Sequence, residues 1–184
     1  AVYAACQWGM LVILAKLGSP EMVGQLTLGL AVTAPVVMLT NLNLRAVQAT
    51  DAKHQYAFGD YLGLRLIATV LILPAIAIIV FATGYRPEIS AIILLVGLSK
   101  SLEAISDIFY GLFQQYERMD RIAISMTIKG PLSRILLGMG VYLFNGVVWG
   151  VLGLGIAQMV VLLGYDLSSA ILMLKSQANQ LPLE

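Results

Sequence analysis

The stretch ILLGMGVYLFNGVVWGVLGLGIAQMVVLLGY, residues 135–165, contains no Asp, Glu, Lys or Arg. A bilayer core about 30 Å thick takes about 20 predominantly apolar residues per helical crossing, so this run is too long for one span. Asn145-Gly146, among the strongest turn dipeptides, divides it. One span then ends at Phe144 and another begins at Val147. Two further uncharged runs, 22–44 and 66–85, have the same character. The whole chain of 184 residues is 59% hydrophobic and 11% charged, with a mean hydropathy of +0.88. Soluble domains average roughly 45–50% apolar and roughly 25% charged, so the chain reads as an all-α, polytopic membrane protein.

The same figures set aside other classes. A formal net charge of +1 provides no polyelectrolyte footprint, so no nucleic-acid partner is expected, and the apolar content far exceeds that of disordered chains. One Cys (Cys6) and one His (His54) can build neither a disulfide framework nor a Cys/His zinc site. Cys6 reads as a small apolar filler and His54 as a solvated loop residue. No metal site, cofactor or catalytic residue is expected, and the protein is not expected to be an enzyme. The segment around Gly97-Leu98-Ser99-Lys100-Ser101 lacks the glycine that a phosphate loop places before its Lys.

Working outward from the decisive run, turn and capping signals predict about six spans, near 1–17, 22–46, 61–83, 88–115, 122–144 and 147–172. Gly18-Ser19-Pro20-Glu21 ends the first and starts the second. A polar segment, 48–60, separates the second from the third, and Gly84-Tyr85-Arg86-Pro87 separates the third from the fourth. Residues 1–175 are expected to form one transmembrane unit whose first helix is truncated. Residues 176–184 are expected to be a polar cytoplasmic tail or a linker to a missing second half. Basic residues favour the cytoplasmic side. Arg45, Lys53, Arg65, Arg118, Arg121, Lys129 and Lys175 lie near one set of span ends, Lys16 and Arg86 near the other. Both ends of the chain are therefore expected in the cytoplasm.

The fourth span carries Lys100, Glu103 and Asp107, spaced three and four apart and extended by Tyr110 and Gln114, which places them on one helix face. Charges near the bilayer centre cost roughly 2.5–3.5 kcal/mol each on insertion scales and normally pair or face a cavity. Two readings are open: Lys100 neutralises Glu103 as a structural staple, or the face lines a hydrophilic cavity whose carboxylates also bind a proton or cation. Asn41 and Arg45 at the end of the second span, with Lys129 and Arg134 on the fifth, could join such a chamber. Cations there suit a phosphate or diphosphate, Arg especially through its bidentate fork. Alternatively, Arg45 and Lys129 snorkel to the headgroups as topology anchors, whereas Arg134 lies deeper. Pro35, Pro74 and Pro131 interrupt three spans and are candidate helix breaks, as at transporter gates, or static kinks. The Gly146/Gly150 spacing, with Gly153 and Gly155, reads as close helix packing.

Several motifs resemble one family. LAKLGSPEMVG (residues 14–24) followed by Leu28-Gly29-Leu30-Ala31 is similar to the first turn and second helix of bacterial polysaccharide flippases, the lipid-linked oligosaccharide exporters of the multidrug/oligosaccharidyl-lipid/polysaccharide superfamily. The usual form is a basic residue, Leu, Gly-Pro-Glu, an aromatic and Gly. Here Ser19 is inserted before Pro20, and Val23 stands where the aromatic is usual. The similarity extends to Tyr61-Leu62-Gly63-Leu64-Arg65-Leu66 and to YGLFQQYERM (residues 110–119).

The resemblance implies the N-terminal lobe of a two-lobe transporter in the bacterial inner membrane. Such a protein moves a polyprenyl-diphosphate-linked oligosaccharide outward by alternating access, often coupled to a cation. The expected partners are thus the lipid bilayer, the lipid-linked oligosaccharide, a coupling cation and a missing C-terminal lobe. Two alternatives stand beside it: a multidrug or small-solute exporter of the same fold, and a non-transporting membrane subunit of a polysaccharide-synthesis complex.

Overall fold

A computed structural model describes residues 2–51 and 55–178, with side chains for 8–51 and 55–176. His54 and Lys53 lie outside the described residues, as do residues 179–184 and the side chain of Cys6. All regular structure among the described residues is helical. Helix α1 spans Val2–Leu17 and α2 spans Pro20–Thr40. Between them the Gly18 N–H donates to the Leu14 carbonyl. Ser19 caps α2 by accepting from the Met22 N–H at 3.3 Å, and Pro20 sits where its missing N–H costs nothing.

A short helix, α3, spans Leu44–Thr50. It is followed by α4, Phe58–Thr83, α5, Pro87–Gln115, and α6, Met119–Phe144. Helix α7, Val147–Val161, runs through one π turn, Leu162–Asp166, into α8, Leu167–Ala178. Five of these helical runs are long and apolar enough to cross a bilayer: Pro20–Thr50, Phe58–Thr83, Pro87–Gln115, Met119–Phe144 and Val147–Ser176. The described part of α1, Trp8–Leu17, is apolar but shorter. The chain is thus an all-helical, multi-span membrane protein.

Three details depart from the sequence reading. The second span was expected to run over 22–46 with a bend at Pro35, but α2 ends at Thr40 and a separate helix, α3, begins at Leu44. Leu42 and Asn43 adopt left-handed backbone, φ 49° and 50°, a conformation that Asn tolerates better than most residues. Pro35, Pro74 and Pro131, read as helix breaks or as static kinks, lie within helices that continue through them, which sets aside the first of those two readings. The irregularities fall instead at 41–43 and at the π turn. Finally, α8 continues to Ala178, so the start of the expected 176–184 tail is helical.

Helix α5 is the hub, packed against α2, α3, α4 and α7, while α6 lies against α7 and α1. Three apolar clusters hold this arrangement. Ile108, Phe109, Leu112 and Phe113 anchor one around the C-terminal half of α5. Leu14, Leu26, Ile92 and Val151 belong to a second. Ile72, Ile76 and Ile93 join α4 to α5 in the third. The large apolar side chains left outside, such as Met38, Val70, Phe81 and Tyr142, suit a lipid surround. Direct contact between α5 and α6 is sparse along much of their length, and the site described next lies between them.

Candidate functional site

Beyond the irregular turn at 41–43, α3 packs against α5. Arg45 on α3 donates to Asp107 Oδ1 on α5 at 2.9 Å. Arg65, from the second turn of α4, donates to Asn41 Oδ1 at 2.8 Å and lies 4.0 Å from Asp107 Oδ2. Only 1% of its surface is exposed. The sequence had suggested a topology anchor for Arg65. It is instead a buried cation behind Asn41 and Asp107. One turn before Asp107, Lys100 and Glu103 pair at 2.7 Å within α5, each side chain more than a quarter exposed.

A cavity of about 320 Å³ opens among these groups, lined by Asn41, Arg45, Lys100, Glu103, Asp107 and Lys129, with Val37, Ala104, Tyr110 and Met126 completing the wall. Its lining thus comes from α2, the 41–43 turn, α3, α5 and α6. Arg134 is not part of it: its guanidinium lies beside Gly9 of α1, where an added Cβ would meet Arg134 Nη1 at 3.0 Å. Six of the seven residues nominated from sequence therefore stand together, and the seventh faces α1.

Lys129 does not snorkel. It is 1% exposed, donates to Tyr110 Oη at 2.9 Å, and lies 3.6 Å from Asp166 Oδ2. The Tyr110 ring is flanked by two cations, Arg45 at 5.6 Å and Lys129 at 5.1 Å from its centroid, within cation–π range. Tyr110 Oη also bonds Ser125 Oγ at 2.7 Å, and Ser125 donates to Asp166 Oδ1 at 2.5 Å. Since Ser125 has one proton and gives it to the carboxylate, Tyr110 must donate to Ser125 and Lys129 to Tyr110. The result is a one-way chain of hydrogen bonds from the cavity wall to a fully buried carboxylate.

Asp166 and Ser125 carried no sequence signal strong enough to be singled out. Asp166 is the single charge between the uncharged run and Lys175, and that isolation was the available clue. The π turn that ends at Asp166 is a second clue, visible only in the structure. Such insertions recur at functional positions because they re-aim side chains.

A second cavity, about 360 Å³, adjoins the first. Trp8, Met10, Leu11, Leu26, Leu30, Val96 and Leu154 give it apolar walls, with Ser99 and Gln158 as polar points. Lys100 and Glu103 line both cavities. A polar chamber and an apolar one therefore meet at a single ion pair. Lys100 stands near the middle of α5, about 20 Å along its axis from Pro87 at 1.5 Å per residue. No group of three or more His, Cys, Asp or Glu able to hold a metal ion occurs among the described residues.

Fold and site together define a polytopic helical membrane protein with a charged intramembrane cavity. Similarity to a characterised pathway is partial. Over 133 residues, 72% of this chain, it is 34% identical to "Capsular polysaccharide biosynthesis protein CapF" of Staphylococcus aureus. The chain spans about a third of that relative's length, 33%. No protein-family profile matches the chain, and no solved structure matches it.

Proposed function

We propose that this chain is the N-terminal lobe of a bacterial polysaccharide flippase of the inner membrane, moving a lipid-linked oligosaccharide across the bilayer by alternating access. The observation that carries the reading is the junction at Lys100 and Glu103, where a chamber with three lining cations, Arg45, Lys100 and Lys129, meets an apolar chamber. An amphiphile with an anionic head and a hydrocarbon body presents the matching chemistry. A diphosphate would compete for Arg45 and Lys100, whose present partners are the cavity's own carboxylates, Asp107 and Glu103. Arg45 has the planar fork that binds phosphate oxygens bidentately. The partial similarity to a capsular-polysaccharide protein supports the pathway. The protein acts, on this reading, without covalent catalysis, and a second lobe completes the chamber.

The test uses the full-length protein restored to a deletion strain. Arg45→Gln and Glu103→Gln are each expected to cut surface polysaccharide at least tenfold with protein level in the membrane unchanged. Normal export in both would sink the assignment. A drug-sensitive deletion strain with its polysaccharide intact would move the reading to multidrug or small-solute export.

One observation favours a second reading, a non-transporting subunit of a synthesis complex. Each lining cation already has an acidic partner within 4 Å: Arg45 with Asp107, Lys100 with Glu103, and Lys129 with Asp166. Pairs of that kind can be purely structural.

A further inference from the structure

Lys129 belongs to two environments at once. It lines the cavity, yet it is also the one cation paired with Asp166 among the described residues. Asp166 is 0% exposed. Its Oδ1 accepts from Ser125, and the equally buried Ser106 hydroxyl and the Lys129 ammonium lie beside the carboxylate without a well-aligned hydrogen bond to Oδ2. Lys129 Nζ, at 3.6 Å, lies beyond hydrogen-bond distance of Oδ2. Lys129 thus stands between Tyr110 Oη, at 2.9 Å, and Asp166 Oδ2, at 3.6 Å.

From this geometry we infer that Asp166 is a proton-binding site linked to anion binding in the cavity through Lys129. The inference rests on the anion-cavity reading above. An anion in the cavity draws the Lys129 ammonium toward itself. Asp166 is then a buried carboxylate without a counter-charge, a situation that is strongly destabilising unless the charge is removed. A proton removes it. Anion and proton therefore bind with positive coupling, and by reciprocity each raises the affinity for the other.

The chain of hydrogen bonds supplies the route. A proton passes from Lys129 to Tyr110 Oη as Tyr110 passes its own to Ser125 Oγ and Ser125 passes its own to Asp166. Lys129, left neutral, takes a proton from the cavity water and is again a cation beside the anion. Net, one solvent proton reaches Asp166 and no bond other than O–H and N–H is changed. The occupant is a proton rather than a metal ion, because the Lys129 ammonium already stands beside the carboxylate.

The groups facing Asp166 are Lys129 and Ser125 from α6 and Tyr110 and Ser106 from α5. Tyr165 is the chain neighbour of Asp166, and acting on Lys129 and Tyr110 are Glu103 and Asp107, both in the cavity wall. Protonation of either of those would also favour an anion at low pH, so the test must separate them from Asp166.

The full-length protein in nanodiscs of phosphatidylethanolamine and phosphatidylglycerol is titrated with farnesyl-diphospho-N-acetylglucosamine, a diphosphate diester whose own charge does not change over the neutral range. Proton uptake is read in weak buffer alongside the affinity. The wild type is expected to take up about one proton per ligand, its affinity rising by up to about tenfold per pH unit as pH falls. Asp166→Asn is expected to abolish the uptake and flatten the pH profile to within about twofold, while Glu103→Gln and Asp107→Asn keep the slope. Should Asp166→Asn fail to fold, the charge-free pair Lys129→Gln with Asp166→Asn is measured instead, with the same loss of proton uptake expected and weaker binding overall. Ligand binding without proton uptake in the wild type, or an unchanged slope without Asp166, overturns the inference and leaves the anion cavity standing. Replacement of the proton dependence by a sodium dependence overturns it likewise. Absence of any ligand binding overturns the cavity reading and the linkage together.

Discussion

Lys100 and Glu103 are the residues at which transport and scaffold readings diverge. Their pair is an i, i+3 contact of 2.7 Å, with about a quarter of each side chain exposed. Contacts of this kind contribute a few tenths of a kcal/mol in isolated helices. In a membrane interior the larger effect is the cost of leaving one partner unpaired. Lys100→Gln alone is therefore expected to lower the thermal midpoint of the full-length protein, and Lys100→Gln with Glu103→Gln is expected to restore it. If the pair lines a transport path, the restored double variant still exports polysaccharide at least tenfold less than the wild type. Normal export by the double variant would favour the scaffold.

The sequence showed these two residues and Asp107 on one face of α5, because spacing within a helix is a local property. It could not show that Arg65 and Asp166 join the same charge network. Their partners, Asn41 and Lys129, lie 24 and 37 positions away in the chain and on other helices. Arg134 illustrates the converse. Its depth in the span was legible, but whether it faces α5 or α1 depends on helix rotation, which its position beside an apolar run leaves open.

At the scale of elements, the α6–α7 pair is decided by glycine. A Cβ on Gly153 would stand 2.5 Å from the Leu136 carbonyl oxygen, and one on Gly140 would stand 2.5 Å from the Trp149 carbonyl oxygen. Both obstacles are backbone, so the helices themselves would have to part. Gly153→Ala is expected to destabilise the protein by about 1–3 kcal/mol, the usual cost of overpacking. Gly63→Ala, with open space around its site, is expected to be neutral or slightly stabilising through helix propensity. Thermal midpoints of the purified protein in one detergent check the contrast, and equal effects at the two sites would refute it. Gly97 is intermediate, since the atom in its way is the flexible end of Ile76.

The small-residue spacing after Asn145 was readable as packing, although not which helix it packs against. Interruption of the spans was harder to read. Prolines attracted attention, yet α2, α4 and α6 continue through theirs. The break that shapes the site comes at Leu42 and Asn43, where Thr40 has already turned its hydroxyl back to the Val36 carbonyl at 2.8 Å. Beyond that break Gln48 is fully buried against α5. In the amide orientation that satisfies both groups, it donates to the Ile108 carbonyl and accepts from the Leu112 N–H, each at 3.1 Å. Gly111 leaves the room for it, since a Cβ there would meet the Gln48 side-chain amide.

For the whole molecule, the spans followed from composition because apolar run length is set by bilayer thickness. Orientation was read from basic residues, and the structure changes the weight of that argument. Arg65 and Lys129 are buried and Arg45 is paired in the cavity wall, so none of the three reports on the membrane surface. Arg118, Arg121 and Lys175 remain on one side, with Lys53 between α3 and α4, against Lys16 and Arg86 on the other. Arg118 is itself tied to Asp120 at 3.1 Å, and Arg121 to the Ser169 carbonyl at 2.7 Å. Neither contact removes the positive charge from the span end, and acidic neighbours count little in the retention rule. The bias is smaller than sequence position alone suggests, but its sign is unchanged. The cavity lies toward the face that carries the α3–α4 and α5–α6 connections, so this face is expected to be cytoplasmic and the cavity to open inward. In spheroplasts, on a Cys6→Ala background, Thr83→Cys should react with a membrane-impermeant maleimide while Ala57→Cys reacts only after lysis. The opposite pattern would place the charged cavity on the outer side, where a substrate made in the cytoplasm could not enter it first, and the direction of transport proposed above would have to be reversed.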